Sequence, residues 1–453
     1  MRPTPVQVFA EWVEGEAVGF APEAVISDFA LDSNSVKPGD LFLAIRGERV
    51  DGHSFIPSVL ASGAVGSLVE RASPEPYILV PNLVDALAKL ASHFRSNFRG
   101  PVIGITGSAG KTTTKEFIGS AIRSLGPILI TMGNRNTEYT VPLLWADLDP
   151  GHQAAVVEMS MRGFGQIRHL AEFSKPTVAV VTNIGYAHML QVGSRQGIAD
   201  AKGELLEQLT KDGIAILWHE DDYLESLKSK TDARILTFGA LEGADCRFTE
   251  YHPLSWNTAK VAGDCLGHRW EAEIPAVGRH IALNAAAAIS TAFALGIDPG
   301  LAAKELVHTQ LPPMRMEIVE FQGGHVLLDT YNASPPSMIA AIETLSELPV
   351  QGHRLAVIGE MKELGEFTDA AHESVGKSLA ASQIEQVMFY GSATEISLAS
   401  ALRSGMRKES LSMATSIDDV KQFLSQVEPG DAVLIKGSRS LELERALDLG
   451  GTH

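Results

Sequence analysis

Short apolar runs recur along the middle of the chain, separated by longer stretches of mixed polarity. Runs at 102–106, 127–131, 154–159, 177–182 and 214–218 predict strands, and the segments between them predict helices. That alternation is the order of a parallel, doubly wound sheet. Val178-Ala-Val-Val181 shows no period-two pattern, which suits a strand covered on both faces. An antiparallel section is predicted over 233–275, followed by a buried helix over 281–295 that ends at Gly296. Beyond Leu311-Pro-Pro313, strands predicted at 325–329, 354–358, 386–390 and 432–436 again interleave with helices. The first 98 residues read differently. A Lys37-Pro-Gly-Asp40 turn precedes a strand at 41–45, a helix end feeds a strand across 61–69, and a helix over 83–94 runs into Arg99-Gly100-Pro101. The pattern predicts an α/β protein of three domains, at 1–98, 99–310 and 311–453, the central one a doubly wound parallel sheet and the last a smaller Rossmann-like domain.

Composition narrows the class. Of 453 residues, 45% are hydrophobic and 20% charged, the balance of an ordinary globular chain. Lys and Arg total 37 against 55 Asp and Glu, a formal charge of −18, so the basic footprint of a nucleic-acid binder is absent. An anionic ligand must be met by local cations and helix N-termini. Cys246 and Cys265 have no CxxC spacing, which argues against a disulfide scaffold or a zinc site and fits a reducing compartment. The N-terminal stretch lacks a signal-type apolar core, and the weakly polar stretch 281–297 is too short and alanine-rich for a membrane span. The expectation is a cytoplasmic protein with no nucleic-acid or membrane partner, acting as a monomer.

The predicted strand at 102–106 runs into Gly104-Ile-Thr-Gly-Ser-Ala-Gly-Lys-Thr-Thr-Thr-Lys-Glu116, and a helix follows. Strand, glycine-rich turn and helix together make a phosphate-binding loop. Gly107 and Gly110 permit close approach of the backbone, and the amides of Ser108, Ala109 and Thr113 face the anion. Lys111 reaches the β- and γ-phosphates of a nucleoside triphosphate, and the Thr112 hydroxyl is a Mg²⁺ ligand. The general pattern asks for Gly at 105, where Ile stands.

Other polar clusters fall where strands of a parallel sheet end, the edge at which such sheets bind ligands. Glu158 follows Ala154-Ala-Val-Val157, Thr182-Asn183 follows the next strand, and His188 comes soon after. Lys202 lies on the following helix. Glu158 and His188 are candidate Mg²⁺ ligands beside Thr112. In the last domain Asp329-Thr-Tyr-Asn-Ala-Ser-Pro335 closes one strand and Lys436-Gly-Ser-Arg439 closes another. Lys436, Ser438 and Arg439 at a helix start suit an anion or carboxylate, or simply cap the helix.

Taken together these motifs resemble the Mur ligases, ATP-dependent amide ligases of peptidoglycan precursor synthesis, and most nearly their F type. Thr106-Gly-Ser-Ala-Gly-Lys-Thr-Thr113 is similar to the family's TGxxGKT loop, which accommodates Ile105. Glu158-Met159, Thr182-Asn-Ile-Gly-Tyr-Ala-His188 and Ala201-Lys-Gly-Glu204 are similar to its metal-site segments. Gly278-Arg-His-Ile-Ala-Leu-Asn284, Tyr331-Asn-Ala-Ser-Pro335, Glu360-Met-Lys-Glu-Leu-Gly365 and Lys436-Gly-Ser-Arg439 match further motifs, and 36–44 with Asp51-Gly-His53 resemble the nucleotide-sugar domain. The resemblance implies ATP and two Mg²⁺, one held by Thr112 and Glu158 and one by His188 and a carbamylated Lys202. Lys111, Glu158, His188 and Lys202 would be the catalytic set. Asn284, Arg315 and Asp329 would contact the nucleotide. Ser33, Asn34, Asp51, His53, Asn136, Thr137, Asn332, Lys436, Ser438 and Arg439 would contact the acceptors, UDP-N-acetylmuramoyl-tripeptide and D-alanyl-D-alanine. The N-terminal domain would bind the UDP-sugar.

The chain departs from the family pattern at several positions. Asn34 stands where an Arg is usual, Thr137 replaces Asn, Glu138-Tyr-Thr140 replaces a segment ending in Gly, Gln166 replaces Glu, Ile281 and Ser334 replace Asn, and Met314 replaces Gly. Several of these lie on the acceptor or sugar side, so the phosphoryl chemistry is more firmly marked than the acceptor. Other readings are an E-type or folylpolyglutamate-type amide ligase, a hydrolytic NTPase switch, and a non-catalytic nucleotide binder.

Overall fold

A computed structural model of the chain describes residues 2–47, 50–187 and 189–447. The chain divides into two compact units, one of residues 1–104, 125–160 and 165–177, the other of 105–124, 161–164 and 178–453.

The first unit opens with a five-stranded sheet in the order Glu16–Val18, Tyr77–Leu79, Gly66–Val69, Asp40–Leu43 and Asp28–Ala30. Its last four strands are mutually parallel, and Glu16–Val18 is antiparallel to its neighbour. Burial explains the register, since Leu41, Leu43, Leu68 and Ile78 point into a core shared with Phe9, Leu87 and Leu90. The helix Leu83–Arg95 buries Leu83, Ala86, Leu87, Leu90 and Ala91, the spacing of one helical face. Its start is fixed by Asn82, whose side chain accepts from the Asp85 amide at 2.9 Å. At its far end the Arg95 guanidinium donates to the carbonyls of Ser174 and Lys175, at 2.7 and 3.1 Å, tying it to the helix Gln166–Ser174. Ile128–Ile130 and Ala154–Glu158 pair in parallel in the same unit.

In the second unit, Val178–Val181, Ile214–Trp218 and Arg234–Gly239 run parallel in sequence order. Cys246–Pro253 also joins in parallel, through Phe238 and Gly239. Only from there do Ala259–Cys265 and His268–Ile274 fold back antiparallel. The antiparallel section expected over 233–275 therefore begins at Cys246. Arg234–Gly239 has the apolar, two-face-buried character of its parallel neighbours, and composition alone does not mark where the direction changes. The two cysteines, read from sequence as separate thiols, stand opposite each other in this register and are joined as a disulfide with Cα atoms 4.0 Å apart. They lie 19 residues apart in sequence, and only the hairpin brings them together. The bond is a single cross-strand link rather than a scaffold.

The same unit carries a six-stranded sheet in the order Glu317–Phe321, Gly324–Asp329, Ala432–Lys436, Arg354–Gly359, Gln386–Tyr390 and Leu411–Ala414. All neighbours are parallel except the first pair. The last strand of the chain thus sits between the second and third of the domain, and sets Asp329 directly beside Lys436. The long helix Arg279–Ala294 buries Ile281, Ala282, Asn284 and an alanine-rich face. Among the described residues no helix is long and apolar enough to cross a membrane.

Leu90 has no exposed surface, so Leu90→Ala is expected to destabilise the first unit by about 2–5 kcal/mol. A fall in its thermal unfolding midpoint checks this, and an unchanged midpoint would contradict the packing described.

Candidate active site

The strand Val102–Thr106 ends in a turn that only glycine can make. Gly107 has φ +149°, and a Cβ there would lie 1.8 Å from Thr182 Oγ1. Gly110 has φ +77° and sits 2.7 Å, measured to an ideal Cβ, from Asn284 Oδ1. The space that side chains would fill is taken by polar groups that grip the loop. Thr182 Oγ1 and Asn183 Nδ2 both donate to the Ala109 carbonyl, at 2.6 and 3.0 Å. The Ala109 amide donates back to Asn183 Oδ1 at 3.0 Å, and the Ser108 amide to the Asn183 carbonyl at 3.0 Å. Gly185 donates its amide to Ser108 Oγ at 2.8 Å. The helix Lys111–Ala121 starts from Gly110 without a side-chain cap. A rigid loop leading into a helix N-terminus of this kind is an anion site.

Lys111 folds over the loop and donates to the Gly107 carbonyl at 2.8 Å. Thr112 is buried, and its Oγ1 accepts from Arg315 at 3.2 Å. The Arg315 guanidinium lies 4.1 Å above the Tyr331 ring. Met314 and Met316, on either side, hold φ of +58° and +52°, left-handed conformations that bulky residues rarely take. These two positions flank Arg315 and shape the backbone that carries its side chain to Thr112.

Lys202 lies on the helix Arg195–Glu207 and is only 2% exposed. Burial first, and then the positive charge of Lys111, push its pKa well below the usual lysine value. Both effects disfavour the charged form of the amine.

Asp329 and Lys436, neighbours across the parallel strands, form a buried pair at 2.5 Å, and Lys436 also donates to the Asn332 carbonyl at 2.9 Å. Ser438 Oγ accepts from the Lys362 amide at 2.9 Å, and Arg439 pairs with Glu444. The Lys-Gly-Ser-Arg segment is therefore engaged within its own domain rather than displaying two open cations. Asn332 uses its side chain on the Ala333 amide. His280, on the first turn of the helix Arg279–Ala294, feels Asp329 and Lys436; burial holds its imidazole neutral, with pKa down at about 4.

The remaining predicted residues belong to the first unit. Glu158 is 1% exposed at its strand end, its Oε1 accepts from Asn136 Nδ2 at 2.7 Å, and its amide donates to Thr131 Oγ1 at 3.0 Å. Asn136 in turn accepts from Ser160 Oγ at 2.8 Å, while Thr137 closes a turn with Thr140. Asp51 accepts from the amide and Nδ1 of His53, at 3.0 and 2.7 Å, and from Arg71 at 2.8 Å. Ser33 is half-buried, and Asn34 is exposed and donates to Asp32. His188 lies outside the described residues.

Two residues of the site escape sequence reasoning. Asp221 is buried, with its pKa raised chiefly by that burial, and accepts from the amides of Ile184 and Tyr223 at 2.7 and 2.9 Å. Arg195 donates to the Ile184 carbonyl at 3.1 Å and lies between the rings of Tyr186 and Tyr223, 4.9 and 5.0 Å from their centroids. Together they strap the segment after Asn183 from outside. The one available signal was an acid pair, Asp221-Asp222, just past a strand end.

Among the described residues no three His, Cys, Asp or Glu side chains gather as a metal cluster. Mg²⁺ beside a triphosphate needs only one or two protein oxygens, the rest coming from phosphate and water. In the second unit the buried Thr112 hydroxyl is a donor of that type, and in the first unit so is the buried Glu158 carboxylate.

Three family profiles match in order: the Mur ligase family catalytic domain over residues 26–95, the Mur ligase middle domain over 105–292, and the Mur ligase glutamate ligase domain over 314–439. A Synechocystis protein, the UDP-N-acetylmuramoyl-tripeptide–D-alanyl-D-alanine ligase, is 35% identical over 445 residues, 97% of this chain and 95% of that one. The chain belongs to the Mur ligase family, F type. Solved Mur ligases agree with the fold. MurF from Acinetobacter baumannii superposes with a TM-score of 0.87 at 30% identity, covering 98% of both chains. MurF from Thermotoga maritima, in complex with ADP, gives 0.80 at 31%, covering 93% of this chain and 96% of that one. This Mur ligase is an ATP-dependent amide ligase with the three-domain α/β architecture of its family.

Gly107→Ala is expected to leave a folded protein that binds ATP at least about tenfold more weakly, because the new methyl meets Thr182 and the φ is one L-residues avoid. Equilibrium binding of a fluorescent ATP analogue checks it. Unchanged affinity would contradict the loop geometry.

Proposed function

We propose that this ligase joins D-alanyl-D-alanine to UDP-N-acetylmuramoyl-tripeptide at the expense of ATP, in the cytoplasm and as a monomer, with domains at 1–98, 99–310 and 311–453. The observation that carries the reading is the gripped phosphate loop with a buried Lys202 in the field of Lys111. The names of its relatives support the acceptor pair. An E-type or folylpolyglutamate-type acceptor is not favoured, given that 35% identity over nearly the whole chain.

ATP lies along residues 107–113, with Asn284, Arg315 and Asp329 as further contacts. Thr112 and Glu158 are proposed as Mg²⁺ ligands, and His188 with carbamylated Lys202 as ligands of a second ion. When bound, these ions neutralise charge on the phosphoryl oxygens. Carbamylation is chemically consistent with the site. A neutral Nζ adds to the carbon of CO₂ and loses a proton to solvent, which turns a costly buried amine into an anionic oxygen donor.

In the first step the terminal carboxylate oxygen of the tripeptide attacks the γ-phosphorus, the bond to the β–γ bridging oxygen breaks, and ADP leaves. The product is an acyl phosphate. Lys111 offsets charge on the transferred group. In the second step the free amine of the dipeptide attacks the acyl carbon, loses its proton, and phosphate departs. Ser33, Asn34, Asp51 and His53 are proposed contacts for the nucleotide sugar, and Asn136 and Thr137 for the peptide. Asn332, Ser438 and Arg439 are proposed for the dipeptide carboxylate, with Lys436 acting through Asp329.

The test is phosphate release with ATP and Mg²⁺, with and without both acceptors, alongside mass spectrometry of the product. Release that requires both acceptors, together with the pentapeptide mass, is expected. Lys202→Ala should lose most of this activity, about a hundredfold or more, while retaining ATP binding. Acceptor-independent release, or a Lys202→Ala enzyme of normal rate, would contradict the reading.

A further inference from the structure

In the sheet of the first unit, the parallel strands Asp28–Ala30, Asp40–Leu43 and Gly66–Val69 open their following loops at one edge. Parallel sheets take ligands at that edge. The first loop brings Asp32, Ser33, Asn34 and Lys37; the second brings Arg46, Asp51 and His53; the third brings Arg71, the cation that Asp51 holds by a hydrogen bond.

Asp51 links the last two. Its Oδ1 accepts from His53 Nδ1 at 2.7 Å and its Oδ2 from Arg71 Nη2 at 2.8 Å. Hydrogen bonds from His53, the backbone amide first, hold the Asp51 carboxyl at about 2, so it stays an ionised acceptor. The Asp51 contact occupies His53 Nδ1 and leaves Nε2 as the ring nitrogen open to a ligand. The His53 side chain is 7% exposed, and Nε2 meets no hydrogen-bond partner among the described residues. A buried ring nitrogen of this kind is costly to leave unmatched and points to a polar ligand group. Arg71 is the opposite case. Its side chain is 58% exposed, one N–H is spent on Asp51, and its other donors have no partner among the described residues. The single bond orients a planar fork whose remaining N–H groups match phosphate oxygens.

We propose that Arg71 is a substrate-binding residue, oriented by Asp51 to grip the diphosphate of a nucleotide sugar while His53 Nε2 hydrogen-bonds a hydroxyl of the same ligand. The inference rests on the nucleotide-sugar reading above. It assigns the anion contact to the loop after Gly66–Val69 rather than to the loop carrying Asn34.

Calorimetric titration of the full chain with UDP and with uridine, the ATP loop saturated with ADP and Mg²⁺, separates the possibilities. In Arg71→Ala, UDP affinity is expected to fall about ten- to a hundredfold while uridine affinity changes less than about twofold. Arg71→Lys should fall between, since an ammonium keeps the charge and loses the fork. In the ligase assay the KM for the UDP-linked acceptor should rise while that for ATP holds. UDP affinity unchanged in Arg71→Ala would overturn the proposal. So would a parallel loss of uridine, which would make Arg71 a support for the His53 loop. A wild-type protein that binds neither probe would instead overturn the underlying reading, a result visible before any variant is made.

Discussion

The chemistry of this protein depends on one clamp. The carbonyl of Ala109 receives two hydrogen bonds from Thr182 and Asn183, and the amides of Ser108 and Ala109 return two to Asn183. Four bonds on two adjacent peptide units hold the phosphate loop, and Gly107 is the residue that lets Thr182 approach closely enough to make its share. A loop fixed before its ligand arrives loses little entropy on binding. The same clamp sets the helix Lys111–Ala121 at a defined position, and with it Lys111 and Thr112. Asp221 and Arg195 extend the constraint outward by holding Ile184 at both its amide and its carbonyl.

Electrostatics explain why the site can host a polyanion in a chain of net charge −18. The cations are local and expensive. Lys202 is buried beside the charge of Lys111, and both its desolvation and that charge lower its pKa. Arg315 is aimed at Thr112 by two strained residues and stacked on Tyr331. Lys436 is compensated by Asp329 rather than left to a ligand. Lys111 and Arg315 thus sit at the phosphate loop, while Lys436 is paired within its own sheet.

Much of the fold was legible in the sequence because its strands are buried on both faces and bounded by glycine or polar residues. Val102–Thr106, Ala154–Glu158, Val178–Val181, Ile214–Trp218 and Ala432–Lys436 fall within a residue of their predicted limits. The phosphate loop was legible for a different reason, since Gly107, Gly110, Lys111 and Thr112 are each required by the same geometry. What the sequence did not carry was pairing. The direction change at Cys246, the facing of Cys246 and Cys265, and the insertion of the last strand beside Gly324–Asp329 are set by long-range packing. For the same reason Lys436 reads from sequence as an open cation and is in fact engaged with Asp329. Asp221, Arg195 and Arg71 were missed because each acts on a partner distant in sequence, without a local motif.

The central claim is that this loop passes a phosphoryl group to a carboxylate rather than to water. The direct measurement uses tripeptide acceptor labelled with ¹⁸O in its terminal carboxylate, with mass analysis of the inorganic phosphate released in the presence of ATP, Mg²⁺ and the dipeptide. The account predicts one ¹⁸O atom in each phosphate, carried over when the acyl phosphate is opened by the amine. Phosphate without the label, formed at the same rate, would mean that water takes the phosphoryl group, and would contradict the account.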